Sequence, residues 1–192
     1  MTFKKNLYFS TLFTWIPLAF VITFLSGLIY VVVQQNYRQS ANDLQIQLAE
    51  DLGNELADGA NPQQITGTHK TQINKSLEPF VIIYDDSGKE IAASAELGGK
   101  TPTLPAGVFD AVKTSGEKRF TWQPRRDVRS AVVIMKYSGK NSGFILAGKS
   151  LREVEKRVDR LGMIVVLAWA GSLFASLFLV WILSLLKNQL KL

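Results

Sequence analysis

Residues Leu161 to Leu186 read LGMIVVLAWAGSLFASLFLVWILSLL, twenty-six positions without one charged side chain. A helix of about 20 apolar residues crosses the hydrocarbon core of a bilayer, so this run is long enough to span one with some tilt. A helix on a soluble core keeps a polar stripe at a period of 3.6, whereas this one is apolar all round. The stretch therefore predicts a transmembrane helix over 161–186. Just before it lies LREVEKRVDR, charged and amphipathic, and after it come only residues 187–192.

The charges fall into a pattern that follows from this span. The chain has 192 residues and a formal charge of +6, which by itself could point to nucleic acid. All sixteen acids lie between Asp43 and Asp159, and eighteen of the 22 bases lie between Arg38 and Arg160, so the middle carries a surplus of only two. The other bases are Lys4, Lys5, Lys187 and Lys191, at the two ends. The basic balance reads as a topology signal, and no nucleic-acid partner is expected. There is no cysteine, which excludes disulfides, thiolate catalysis and thiolate metal sites.

A second uncharged stretch runs from Asn6 to Tyr37, with its apolar centre over Leu12–Val33. Lys4 and Lys5 would also suit a signal peptide, but the apolar run is long for one and no clear A-x-A site follows. We take residues 7–33 as an uncleaved first span, with Pro17 tolerated inside it. Lysines at the outer ends of both spans, with no acid beside them, place both tails in the cytoplasm. The expected order is a cytoplasmic tail (1–6), a first span (7–33), an extracytoplasmic domain (34–160), a second span (161–186) and a cytoplasmic tail (187–192), in a cell membrane.

Within the exposed domain, Leu44, Leu48, Leu52 and Leu56 recur every four residues near Ala41 and Ala49. This predicts that helix continues out of the first span to about Asp58, with Gly59 as its stop. The stripe could pack on the domain's own sheet or on the same helix of a second chain. Asn61-Pro62 reads as the start of a short helix reaching about Leu77, interrupted near Gly67. Strands follow over 80–84 and 89–94, joined by Asp85-Asp86-Ser87-Gly88. Then come a helix over 105–115 with Val108, Phe109 and Val112 on one side, and strands over 117–123, 129–137 and 142–149. A last helix, 151–160, begins at a capping box of Ser150 and Glu153 and runs into the second span. The fold class is α+β: a five-stranded antiparallel sheet with a long N-terminal helix, flanked by two membrane helices, with helices on one side of the sheet. Strand centres apolar on both faces imply a sheet covered on both sides or lining a pocket.

Two stretches carry a resemblance. FVIIYDDSGKEIAAS (80–94) and SGFILAGKSLREVEKRVDRL (142–161) make the chain similar to the membrane-bound sensor module of bacterial histidine kinases and chemoreceptors, with a single Cache (extracytoplasmic PAS-like) domain. The resemblance implies a small-ligand pocket between the sheet and its covering elements, dimerisation, and signalling by movement of the membrane helices. Family members continue after the second span into cytoplasmic output domains, whereas here Lys187–Leu192 follows. A stand-alone sensor acting through a partner, or the sensor fragment of a longer kinase, is the expectation.

No G-x-S-x-G, P-loop, H-E-x-x-H or G-x-G-x-x-G pattern is present, and the acids of the DDSG turn suit backbone capping better than catalysis. We expect no enzymatic activity, no catalytic residue, no metal and no cofactor; His69, the one histidine, reads as solvated. Lys118, Arg119, Arg125, Arg126, Arg129, Lys136 and Lys140 surround the third and fourth strands, with aromatics between them. Such a cluster suits a small anionic ligand, a solvated hairpin tip, or anionic headgroups. The candidate ligand-binding set is Tyr84, Phe120, Trp122, Arg129, Lys136 and Tyr137. For helix packing, Val154 and Val158 continue a stripe, and Ala168, Ser172 and Ser176 form a small-xxx-small face. The expected partners are the bilayer and either a second copy or another membrane protein. The expected function is a receptor-like membrane protein; an accessory subunit docked on a transporter or kinase is the alternative.

Overall fold

The computed structural model describes residues 2–189, and the side chains of 11–189 except Arg38, Ala41, Asn42 and Asn188. The readings on Lys4, Lys5, Ala41 and Lys191 lie outside the described residues. The chain divides into two units: residues 1–36 with 157–192, and residues 37–156.

Two helices frame the chain. Helix α1 (Thr2–Ala57) continues through Pro17 without a break, and α4 (Arg152–Gln189) follows the last strand directly. Both are long and apolar enough to cross a membrane. In the first unit their apolar segments pack side by side and antiparallel. The Trp15 indole donates to Ser176 Oγ (3.0 Å), and the Trp169 indole donates to Thr23 Oγ1 (2.9 Å). The more buried positions on α1 are 11, 15, 19, 22, 26, 30 and 33, and on α4 they include 162, 165, 169, 173, 176 and 180. Spacings of three and four keep one seam facing the partner along both helices. The small-residue face divides between this seam and the outer surface of the helix pair. Ser176 is engaged within the chain by Trp15, whereas Ala168 and Ser172 are exposed beside the seam.

The second unit is built on a five-stranded antiparallel sheet. Its strands are β2 (Phe80–Tyr84), β3 (Glu90–Ala93), β5 (Glu117–Arg125), β6 (Val128–Ser138) and β7 (Ser142–Ser150), in the order β3-β2-β7-β6-β5. The three middle strands are rich in β-branched and aromatic residues and buried on both faces, as their continuous apolar runs require. One face joins Phe80, Ile82, Val132, Ile134, Phe144 and Leu146 to Trp122 and to Val108 and Val112 of α3 (Val108–Ser115). The other joins Val81, Ile83, Val133, Ile145 and Ala147 to Ala49 and Leu56 of α1, with Ile65 of α2 (Pro62–Thr66) beside them. Helices therefore cover both faces, not one. Residues alternate between faces along a strand, so strands apolar at every position need two covers.

Several boundaries differ from expectation. Helix α2 starts as expected, with the Asn61 side chain accepting from Gln63 N, but ends at Thr66, where Gly67 takes a positive φ. The chain then pairs β1 (Thr71–Gln72) parallel with β4 (Ala95–Glu96), a ribbon that replaces helix up to Leu77. Helix α3 starts at Val108 because Gly107 is left-handed (φ 77°). The capping box is replaced as well: Ser150 Oγ accepts from Arg152 N (3.3 Å), while Glu153 pairs with Lys156 (3.2 Å). On α1 the seam facing the sheet takes Gln45 (1% exposed), Ala49, Gly53 and Leu56, and Leu44 is left 44% exposed. Leucines spaced by four drift 40° per step from a helix face, so Leu44 has turned away by the time Leu56 is buried.

Candidate functional site

A cleft of about 450 Å³ opens between α1 and the far end of the β6–β7 hairpin. Ala49, Glu50, Gly53, Asn54 and Ala57 line its helical wall, and residues 135–138 with Ile145 line the sheet wall. Small residues at every fourth position let the helix approach closely. A Cβ on Gly53 would lie 3.5 Å from Ile145 Cγ2 and 3.8 Å from Tyr137 Cβ.

The end of α1 is anchored beside this cleft. Gly59 is left-handed (φ 101°), and the amides of Gly59 and Ala60 return to Leu56 O and Glu55 O, a Schellman closure. The Lys140 amide then donates to Ala57 O (2.7 Å), so the hairpin turn caps the helix. Gly139 is required there, since a Cβ would overlap the Ala57 carbonyl group.

Tyr137 is the buried polar group of the cleft, 6% exposed. Burial, and then the charges of Asp86 and Asp85, push its phenol above the ordinary tyrosine range, so the hydroxyl stays neutral. Its oxygen lies over Gly143, where a Cβ would stand 2.8 Å away. Glu50 and Asn54 add an anion and an amide at the rim, while Lys136 and Ser138 line it on the strand, where alternation turns their side chains to the other face of the sheet. Glu50, Asn54 and Tyr137 can hold a small polar molecule through a carboxylate acceptor, an amide that donates and accepts, and a phenol. Among the described residues, no three His, Asp or Glu side chains converge as metal ligands would.

The six candidate ligand residues do not share one site. Tyr84, Phe120, Trp122 and Lys136 belong to the α3 face of the sheet, and Arg129 and Tyr137 to the α1 face. Tyr84 and Trp122 are core residues: Tyr84 packs edge-on to Phe109 (5.0 Å between centroids), Phe109 packs on Phe144 (5.2 Å), and Trp122 lies against Phe80 (6.3 Å). These rings fill the space between the sheet and α3. Phe120 is half-buried against the same core. Arg129 pairs with Glu155 (2.5 Å) at the start of α4. Only Lys136 and Tyr137 of the six line the cleft.

No family model matches this chain, and no curated protein is similar to it. The site therefore rests on its own geometry. Glu50 and Asn54 lie outside the candidates drawn from the sequence, which followed the leucine stripe of α1. The interleaved small stripe Ala49–Gly53–Ala57 is the signal that marks where a helix comes close to a sheet.

Of the remaining candidates, Val154 and Val158 are half-buried. Asp85 and Asp86 act as turn residues. Asp85 Oδ1 accepts from the amides of Ser87 and Lys89 (both 2.9 Å) and from the Ser87 hydroxyl, which lowers its carboxyl below the usual range. Asp86 bonds the Ser142 hydroxyl, tying the two hairpins together.

Proposed function

We propose that this protein is a two-pass membrane receptor of PAS-like, Cache type, non-enzymatic, with residues 34–160 outside the cell and both tails inside. A small polar ligand seated between α1 and β6 would be sensed as a change in α1. A separate membrane partner, or a second copy, would receive the signal through the membrane helices. The observation that supports this reading is that α1, the helical wall of the cleft, is the same uninterrupted helix as the first apolar span. Any ligand with unequal affinity for two placements of that wall shifts their populations. The stretches on which the resemblance rests, 80–94 and 142–161, form the β2–β3 hairpin with its DDSG turn and the direct passage from β7 to α4.

The accessory-subunit reading draws support from one observation. The Tyr84–Phe109–Phe144 packing fills the α3 side of the sheet, where a ligand pocket was also a candidate. Two measurements test the proposal. A cysteine at Ser87 should react with an impermeant thiol reagent in intact cells, and one at Asn188 should not; the reverse labelling would sink the orientation. A screen of small polar metabolites against the full chain in detergent should find compounds that raise its melting temperature, an effect abolished by Tyr137→Phe or Asn54→Ala. No stabilising compound from such a screen would put the accessory subunit ahead.

A further inference from the structure

The register of the sheet gathers basic side chains at one end. Ser130 pairs with Ser150, Arg125 pairs with Val128, and Phe80 pairs with Gly148, so the β5–β6 turn, the end of β7 and the start of β2 lie together. The Leu151 amide donates to Arg129 O (2.9 Å), and the Arg152 guanidinium donates to the carbonyls of Asn74 (3.5 Å) and Lys75 (2.7 Å). That places Lys75, Arg125, Arg126, Arg129, Lys149 and Arg152 at the end from which the chain enters α4. The acids there are Glu78, Asp127, Glu153 and Glu155; Glu155 is taken up by Arg129 and Glu153 by Lys156. Glu78 faces His69 (3.6 Å). Among the described residues, no carboxylate is ion-paired with Lys75, Arg125, Arg126, Lys149 or Arg152. Arg152 spends its donors on neutral carbonyls, which leaves its charge uncompensated.

The opposite end has the opposite balance. The α1 terminus and the β2–β3 and β6–β7 turns carry Glu55, Asp58, Asp85 and Asp86 against Lys89 and Lys140. The domain is thus polarised along its strands, with the cationic end at the junction to α4. Leu77, 38% exposed in the loop held by Arg152, adds an apolar tip beside Lys75.

We propose that this basic end is a docking surface for anionic phospholipid headgroups of the bilayer that holds the protein's own helices. The inference rests on the membrane reading above and adds a lipid specificity to it. The occupant follows from charge complementarity: an uncompensated basic end sits where the chain turns into an apolar helix, and a headgroup layer is the first anionic surface that helix would meet. Each basic residue near an anionic surface contributes about fivefold in association.

The test uses the full-length chain, which has no cysteine of its own. A single Ser76→Cys carrying a fluorophore reports on the basic end, and a Ser87→Cys probe reports on the far end. The protein is reconstituted in phosphatidylcholine nanodiscs with and without phosphatidylglycerol, and both contain a headgroup-level nitroxide quencher. Quenching at position 76 should rise with phosphatidylglycerol and fall back when salt is raised. In the Arg125→Gln/Arg126→Gln double variant the docked-to-undocked ratio should drop about 25-fold. The probe at 87 should respond to none of these changes. Equal quenching in both bilayers, or no effect of salt and charge removal, overturns headgroup docking and leaves the basic end to an acidic protein partner. Release of the chain from membranes by alkaline carbonate would overturn the membrane reading itself.

Discussion

Gly53→Ala separates the packing of the cleft from its use. Gly53 lies inside α1, where glycine costs a helix about 1 kcal/mol relative to alanine. The added Cβ would meet Ile145 Cγ2 at 3.5 Å and Tyr137 Cβ at 3.8 Å, both ordinary van der Waals contacts. Burying that methyl adds up to about 0.8 kcal/mol. The variant should therefore be more stable by about 1–1.5 kcal/mol, which for a chain of this size raises the melting temperature by about 2–5 °C. Gly143→Ala, across the cleft, should go the other way. Its Cβ would overlap the Tyr84 carbonyl oxygen and stand 2.8 Å from the Tyr137 hydroxyl, and a backbone oxygen cannot swing aside. Overpacking of that kind costs about 1–3 kcal/mol, offset by less than about 1 kcal/mol of recovered backbone entropy. Tryptophan-fluorescence melts of both variants in detergent give the two signs directly. The Gly53 methyl also narrows the cleft, so any ligand-dependent rise in melting temperature should shrink even as the protein becomes more stable. A lower melting temperature for Gly53→Ala would refute the open contact of α1 with β6 and β7, and no loss in Gly143→Ala would refute the close approach of Tyr84 and Tyr137 to β7.

Tyr84 is pushed well above the ordinary tyrosine range by burial and then by Glu90. Its raised folded value means that the unfolded chain ionises first, so this stability is intact below pH about 10 and is lost as pH rises beyond it. Alkaline melts should fall more steeply for the native chain than for Tyr84→Phe; parallel curves would contradict a buried neutral phenol. Arg152→Ala removes both bonds to the 74–75 carbonyls, at a cost near about 1 kcal/mol for an exposed charged donor, and amide exchange in residues 73–77 should accelerate. Unchanged exchange there would mean that Arg152 does not hold this loop to α4. Ser176→Ala and Trp169→Phe each delete one bond of the α1–α4 seam and should destabilise the helix pair by about 0.6 kcal/mol apiece in thermal unfolding, with no effect on the sheet domain. Additive effects are expected, because the two bonds lie at well-separated depths.

The sequence determined whatever depends on local chemistry. Charge-free runs marked two helices long enough for a bilayer, and continuous apolar runs marked β2, β6 and β7. Asn61-Pro62, Gly59 and Gly116 marked helix ends because only certain residues satisfy the backbone there. Side-chain parity was also present: Lys136 and Tyr137 are neighbours on one strand and must point to opposite faces, as must Arg129 and Lys136 seven residues apart. That arithmetic alone divides the candidate ligand set between the two faces of the sheet. What lies across from each face was not legible, because it is set by pairings between distant segments. Strand register gathered the basic end, the parallel β1–β4 ribbon displaced a plausible helix, and the approach of α1 chose Gln45 over Leu44 for the buried seam. The cleft is a product of tertiary contact alone. Glu50 and Tyr137, 87 positions apart, line one space because α1 packs on the sheet and Gly139 lacks the side chain that would hold the hairpin turn off the end of the helix.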